Sequence, residues 1–244
     1  MDGMRHLGIL AHSSEGAALC FRAFCQEGFR ELGPYEHPDV TLDFIALARS
    51  MPSWDSGAYG TVRGTLAESV RRLAAAGAEF FVCPDNTAHL ALELPGEELA
   101  LPGLHIAEVV ADRAAADGRR RVGVLGTSYT MEGQVYPGAL GRRGIEAVVP
   151  EAEDRRLVDR IIFEELLDGV FTEESRRRYA EVIERLAARG CDAVALVCTE
   201  IPLLVTPGVS PLPTLDSTRL LAAAAFETAV GRRPWPAWRG GPVG

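Results

Sequence analysis

The chain has 244 residues, 47% apolar and 24% charged; its 25 basic residues, all arginine, face 34 acidic ones for a net charge of −9. That length and apolar share suffice for a sizeable core, in one large domain or two small ones. The acidic balance argues against a nucleic-acid or anionic-membrane surface, which would need a basic face to neutralise phosphates, and without lysine no pyridoxal-phosphate Schiff base can form.

The chain opens on a buried-strand pattern, LGILAH (7–12), followed by an amphipathic helix over 15–32 and a second strand over VTLDFIAL (40–47). A helix over 60–77 leads into a third strand, FFVCPD (80–85), and a helix over 107–117 precedes RVGVLGT (121–127), where the cycle restarts. Strands separated by helices need crossover connections, so the expected fold is α/β with parallel, doubly wound sheets. RHLGILAH carries no basic leader and no run of 18 uninterrupted apolar residues follows, so neither export nor membrane insertion is expected. Five cysteines (20, 25, 83, 191, 198) lack zinc-ribbon spacing and sit mostly in apolar runs, which suits reduced thiols in a cytoplasm.

The restart behaves as a repeat. Residues 68–87 set over 181–200 at a constant offset match at Glu68/Glu181, Arg72/Arg185, Leu73/Leu186, Ala74/Ala187, Ala75/Ala188 and Gly77/Gly190. A helix, a glycine cap and a buried strand therefore recur. LGILAHSS (7–14) likewise lies over VGVLGTSY (122–129). In this register Asp85 of VCPDNTAH falls opposite Cys198, whereas Cys83 falls opposite Leu196 inside a strand and reads as packing. Ligands of open α/β sheets bind beyond the carboxyl ends of strands, where Asp85 and Cys198 both stand.

PDNTAH (84–89) and VCTEIPLL (197–204) together resemble the two signature turns of the aspartate/glutamate racemase superfamily, usually of the form P-C-N-T-A-H and G-C-T-E. The likeness extends to the Ser turn after the first strand (Ala11 to Glu15), LPGLHIAE, LGTSYTME and IIFEELLDGVF, and so covers nearly the whole chain. The resemblance implies two similar Rossmann-like lobes related by a pseudo-twofold axis, with a cofactor-independent site between them. The expected division is 1–104 plus 213–230 for the first lobe and 105–212 for the second. In that division 231–244 is a Pro-, Gly- and Arg-rich tail with no chemistry assigned, and a helix at about 215–230 returns to the first lobe. The resemblance also implies a homodimer.

In such enzymes two cysteines flank the substrate α-carbon, one removing a proton from one face while the other returns a proton to the opposite face. Carried over by position, Cys198 matches the second cysteine and Asp85 takes the place of the first. A thiol and an aspartate differ by about 4.6 pKa units, so the carboxylate is the weaker base by roughly 6 kcal/mol; burial is expected to raise it toward a working range. Asp85 equally suits a helix N-cap, and Cys198 a buried strand end. A helix N-terminus after Cys198 is expected to favour its thiolate.

Asn86, Thr87 and Thr199 follow the two strand ends and are expected to hold the substrate carboxylate. Ser13, Ser14 and Thr127 are further binding candidates that serve equally as caps. Arg49 and Ser50 are candidates for a carboxylate contact, and His12, His89 and Glu200 for orienting the reactive pair. No standard metal array is present, so neither metal nor cofactor is expected. In the resemblance, some relatives taking acidic substrates place a lysine in the segment matching EELLDG, where this chain reads Leu167. The leading reading is a racemase or epimerase acting beside a carboxylate, with an amino acid as substrate. A single-cysteine decarboxylase or cis–trans isomerase of the same superfamily is the alternative, and a non-catalytic small-molecule sensor the third reading.

Overall fold

The computed structural model describes residues 3–243; Met1, Asp2 and Gly244, the outer ends of the expected first lobe and tail, lie outside the described residues. The chain divides into two units, one running to Ile106 and resuming at Thr218, the other spanning Ala107–Ser217.

In the first unit β1 (Leu7–Ala11), buried along its whole length, is followed by α1 (Ser14–Glu31) and β2 (Val40–Phe44). A short α2 (Met51–Asp55) and a long α3 (Tyr59–Ala75) lead to β3 (Phe80–Val82), α4 (Ala88–Leu92) and β4 (Gly103–Leu104). The four strands are parallel in the order β2-β1-β3-β4. The expected strand over 40–47 is shorter because β1 ends at Ala11: Ile45 N–H donates to the Ala11 carbonyl at 2.9 Å, and the chain then turns through Leu47–Arg49 into α2, with Pro52 near its start. The expected 80–85 strand stops at Val82, just before Pro84, which has no N–H for a ladder.

α5 (Ile106–Ala116) opens at the boundary between the units and leads to β5 (Arg121–Leu125), α6 (Ser128–Glu132), α7 (Val135–Gly141) and β6 (Glu146–Val148). Then come α8 (Ala152–Glu164), α9 (Glu173–Ala188), β7 (Ala193–Leu196), α10 (Ile201–Leu204) and β8 (Thr214–Asp216); α11 (Ser217–Ala229) returns to the first unit. The second sheet is again parallel, in the order β6-β5-β7-β8. β8, assigned from residue 213 onward to the first lobe by the sequence reading, instead pairs with β7, with Leu196 opposite Asp216.

The two sheets repeat one winding, and the repeated sequence sets it. α3 buries Val62, Leu66, Val70 and Leu73, and α9 buries Tyr179, Val182, Ile183 and Leu186, each an apolar stripe of helical period. Leu73 and Leu186, equivalent in the repeat, are fully buried in their own cores, a contribution of about 2 kcal/mol each. Both helices then end alike: Gly77 (φ 95°) and Gly190 (φ 86°) adopt the left-handed conformation, and Ala78 and Cys191 donate back to Leu73 and Leu186 at 3.1 Å. Each cap aims its chain into the next strand. No helix among the described residues is long and apolar enough to cross a membrane.

Candidate active site

Parallel registry places the first cluster. β1 and β3 pair with Ile9 opposite Val82, so His12 and Asp85, each three residues further on, leave adjacent strand ends at the same level. His12 Nδ1 lies 2.9 Å from Asp85 Oδ2, and its Nε2 lies 3.1 Å from Ser50 Oγ at the start of α2. With the carboxylate as acceptor, His12 donates through Nδ1. His12 and Ser50 are buried, while the Asp85 side chain keeps 15% exposure.

The other carboxylate oxygen of Asp85, Oδ1, accepts the Ala88 N–H at 3.1 Å and so caps α4. One oxygen of Asp85 therefore caps α4 while the other pairs with His12. Burial alone pushes this carboxyl up; the His12 bond and charge, the Ala88 N–H and the nearby His89 outweigh it, and the group sits below its ordinary value. The expectation that burial raises Asp85 is corrected here: its donors win.

His89 braces the same turn from behind. Its Nδ1 donates to the Asp85 carbonyl at 2.9 Å, and its Nε2 accepts from the Ile106 N–H at 3.4 Å, which fixes one neutral tautomer. Burial and the neighbouring His105 hold its pKa down to about 3. Cys83 is fully buried in the core of the first unit, and burial, reinforced by Asp85, drives its thiol well above the usual range. It is packing.

In the second unit β5 and β7 pair with Leu125 opposite Leu196, so Thr127 and Cys198 stand two residues beyond adjacent strand ends. Cys198 is 8% exposed, and its Sγ donates to Glu200 Oε2 at 3.0 Å; Thr199 Oγ1 donates to the same oxygen at 2.9 Å. The expected helix N-terminus after Cys198 is only the four-residue α10, and the carboxylate that accepts from its thiol is buried.

The other sequence candidates fall as follows. Ser13 caps α1 by accepting from Gly16, Ser14 is the first residue of that helix, and Thr127 caps α6 by accepting from Thr130. Asn86 is buried in the turn between β3 and α4, and Thr87 flanks α4 without a side-chain capping bond. Arg49 lies on the surface, 53% exposed, 3.5 Å from Glu68. Leu167 is exposed in a short turn after α8. Among the described residues no group of three or more His, Cys, Asp or Glu is gathered to hold a metal.

Three residues of the first cluster carry no role in the sequence reading: Glu93, His105 and Trp238. His105 follows β4 directly and donates Nε2–H to Glu93 Oε1 at 2.8 Å. Trp238 stacks on His89 (centroids 5.8 Å, interplanar 13°) and meets His105 edge-on at 4.8 Å. The position of His105 at a strand end was a readable signal; the docking of the tail was not, since its Pro- and Gly-rich sequence has no period.

The whole chain has recognisable relatives. The model for Asp/Glu/Hydantoin racemase matches residues 25–225. A solved structure of a candidate Asp/Glu racemase from Yersinia pestis is 33% identical, covers 93% of this chain and all of its own, and superposes with a TM-score of 0.83. An aspartate racemase homologue from Pyrococcus horikoshii OT3 is 25% identical over 93% of this chain and 99% of its own, at a TM-score of 0.76. The broad specificity amino-acid racemase RacX of Bacillus subtilis (strain 168) is 23% identical over 170 residues, 70% of this chain and 73% of that protein. The fold is thus shared with racemases, and the chain belongs to the Asp/Glu/hydantoin racemase family, an isomerase family.

Proposed function

We propose that this isomerase inverts the carbon next to the carboxylate of an amino acid without a cofactor, with Asp85 and Cys198 as its two proton carriers. The observation that carries the reading is their complementary resting state. Asp85, kept below its ordinary pKa by its donors, can accept a proton, while the Cys198 thiol, hydrogen-bonded to Glu200, can give one. The two occupy equivalent positions of the repeat, each just beyond the third strand of its own sheet.

In the forward direction the Asp85 carboxylate takes the α-proton and becomes a carboxylic acid, and the substrate becomes a carbanion delocalised into its own carboxylate. Cys198 then gives its S–H proton to the opposite face, leaving a thiolate beside Glu200. Asn86, Thr87 and Thr199 hold the substrate carboxylate through side-chain and main-chain donors. The His12 proton on Asp85 Oδ2 keeps the base ionised, and Ser50 fixes the ring. The low basicity of Asp85 is the demanding part of the scheme, a handicap of roughly 6 kcal/mol against a thiolate at ordinary pKa values; a water-poor site that places the base against the α-carbon offsets it. With Leu167 where an acid-binding lysine is expected, and RacX named for broad specificity, the substrates proposed are amino acids with uncharged side chains.

The test is a panel of single-enantiomer amino acids followed by circular dichroism: at least one loses its signal with enzyme and keeps it with heat-inactivated enzyme. If none does, the reading is wrong.

The same weak base favours one other reading, in which Cys198 alone protonates an intermediate, as in a decarboxylase, or adds to an alkene, as in a cis–trans isomerase. Such chemistry needs the Glu200-bound thiol and no base at position 85.

A further inference from the structure

The tail after α11 follows a fixed route over the first unit. Arg232 donates to Glu31 at 3.1 Å, and Trp235 packs on Phe80 with Arg5 over its ring at 5.5 Å. Beyond it the main chain pairs with the segment around β4. Gly103 N–H donates to the Trp238 carbonyl, Leu99 N–H to the Arg239 carbonyl and Gly241 N–H to the Leu92 carbonyl, each at 2.8 Å. Arg239 returns two bonds of 3.0 Å to the carbonyls of Leu99 and Ala100. Six hydrogen-bonding contacts of this kind exceed what holding down a loose end requires.

Their common effect is to seat one indole. Trp238 stacks on Phe81 of β3, the strand that delivers Asp85, at 6.0 Å and 29°, and it also meets the two imidazoles His89 and His105. Its Nε1–H is taken by the Gly241 carbonyl at 3.0 Å, so the ring is fixed in its own plane. His89 is the one side chain that bridges the Asp85 carbonyl and the Ile106 N–H, and a half-turn of its ring would put carbon where both nitrogens are needed. A flat aromatic face lying parallel to an imidazole at this distance blocks that half-turn and keeps water from the ring. His105, edge-on to both rings and anchored by Glu93, closes another side.

We infer that the C-terminal tail belongs to the working site, with Trp238 as a positioning residue that locks the His89 ring and, through it, the main chain of the Asp85 turn. The inference rests on Asp85 being the proton carrier of this unit. The groups that face His89 are Asp85 on its own turn, His105 with Glu93 behind it at the end of β4, and Trp238 from the tail.

The experiment is ¹⁵N NMR of the histidines of the full chain, with α-proton exchange kinetics beside it, for wild type, Trp238→Ala and Trp238→Phe. In wild type His89 shows the single Nδ1–H tautomer and does not titrate between pH 7.5 and pH 5. In Trp238→Ala the tautomers mix and His89 begins to titrate in that range, kcat falls at least tenfold and KM stays within about twofold; Trp238→Phe, which keeps a flat ring, recovers most of both. If the alanine variant does not fold, Trp238→Leu, with apolar bulk and no flat face, takes its place with the same expectations. A wild-type His89 signature in the ringless variant overturns the positioning role, and an unchanged kcat overturns its part in the reaction. Loss of the tautomer in a protein whose wild type shows no α-proton exchange leaves the positioning intact and removes instead the role given to Asp85.

Discussion

His89 makes the stability of the first unit acid-sensitive in a range where carboxylates are still ionised. An imidazole near pKa 6.5 when unfolded and about 3 when folded is protonated in the unfolded chain first, so stability falls as pH drops below 6.5 and the loss is complete only near 3. At pH 5 the difference between the two titrations amounts to about 2 kcal/mol relative to pH 8. His89→Asn removes the titration while its side-chain N–H still reaches toward the Asp85 carbonyl. Urea unfolding at pH 8 and pH 5 should therefore show wild type losing about 2 kcal/mol more than the variant between the two conditions, at equal m-values. The comparison isolates His89 because the two proteins differ at that position alone. Parallel losses would mean that His89 is not held neutral, and the argument from its burial beside His105 would fall.

Asp85→Asn abolishes racemisation in both directions if Asp85 carries a proton, whereas a decarboxylase or cis–trans isomerase built on Cys198 alone keeps most of its rate; assaying the variant on amino acids, arylmalonates and maleate separates the two. Glu200→Gln removes the negative neighbour of Cys198, so alkylation of that thiol by iodoacetamide at pH 8 should accelerate several-fold, and an unchanged rate would show that Glu200 does not hold the thiol protonated. Cys83→Ala should cost about 1–2 kcal/mol by denaturation and leave kcat unaltered, since Cys83 is core packing; loss of turnover in a stably folded variant would reopen its assignment.

The fold, and the two turns on which the site is proposed, were legible for one reason: the chain states its pattern twice. The helix, glycine cap and strand of 68–82 and 181–196 recur at a fixed spacing, and once Gly77 and Gly190 are read as caps the strand ends, and with them Asp85 and Cys198, are located. What lies across strands was harder. That His12 bonds Asp85 follows from the register of β1 against β3, which no local pattern prints. The direction of the Asp85 shift depends on counting donors around two oxygens, and burial, the only quantity sequence suggests, points the wrong way. That Arg49 meets Glu68 of a different helix is likewise a contact no local pattern prints. The docking of Trp238 on His89 joins residues far apart in sequence through an aperiodic tail.

The account depends most on two different groups serving the two faces of the α-carbon, and solvent isotope incorporation reads that directly. In D₂O, at early conversion of a single-enantiomer substrate, the product enantiomer should carry α-deuterium while the remaining substrate keeps its α-hydrogen, because the proton taken by Asp85 and the one given by Cys198 come from separate sites. Equal deuterium in both enantiomers, or product that retains the original hydrogen, would contradict a two-carrier mechanism.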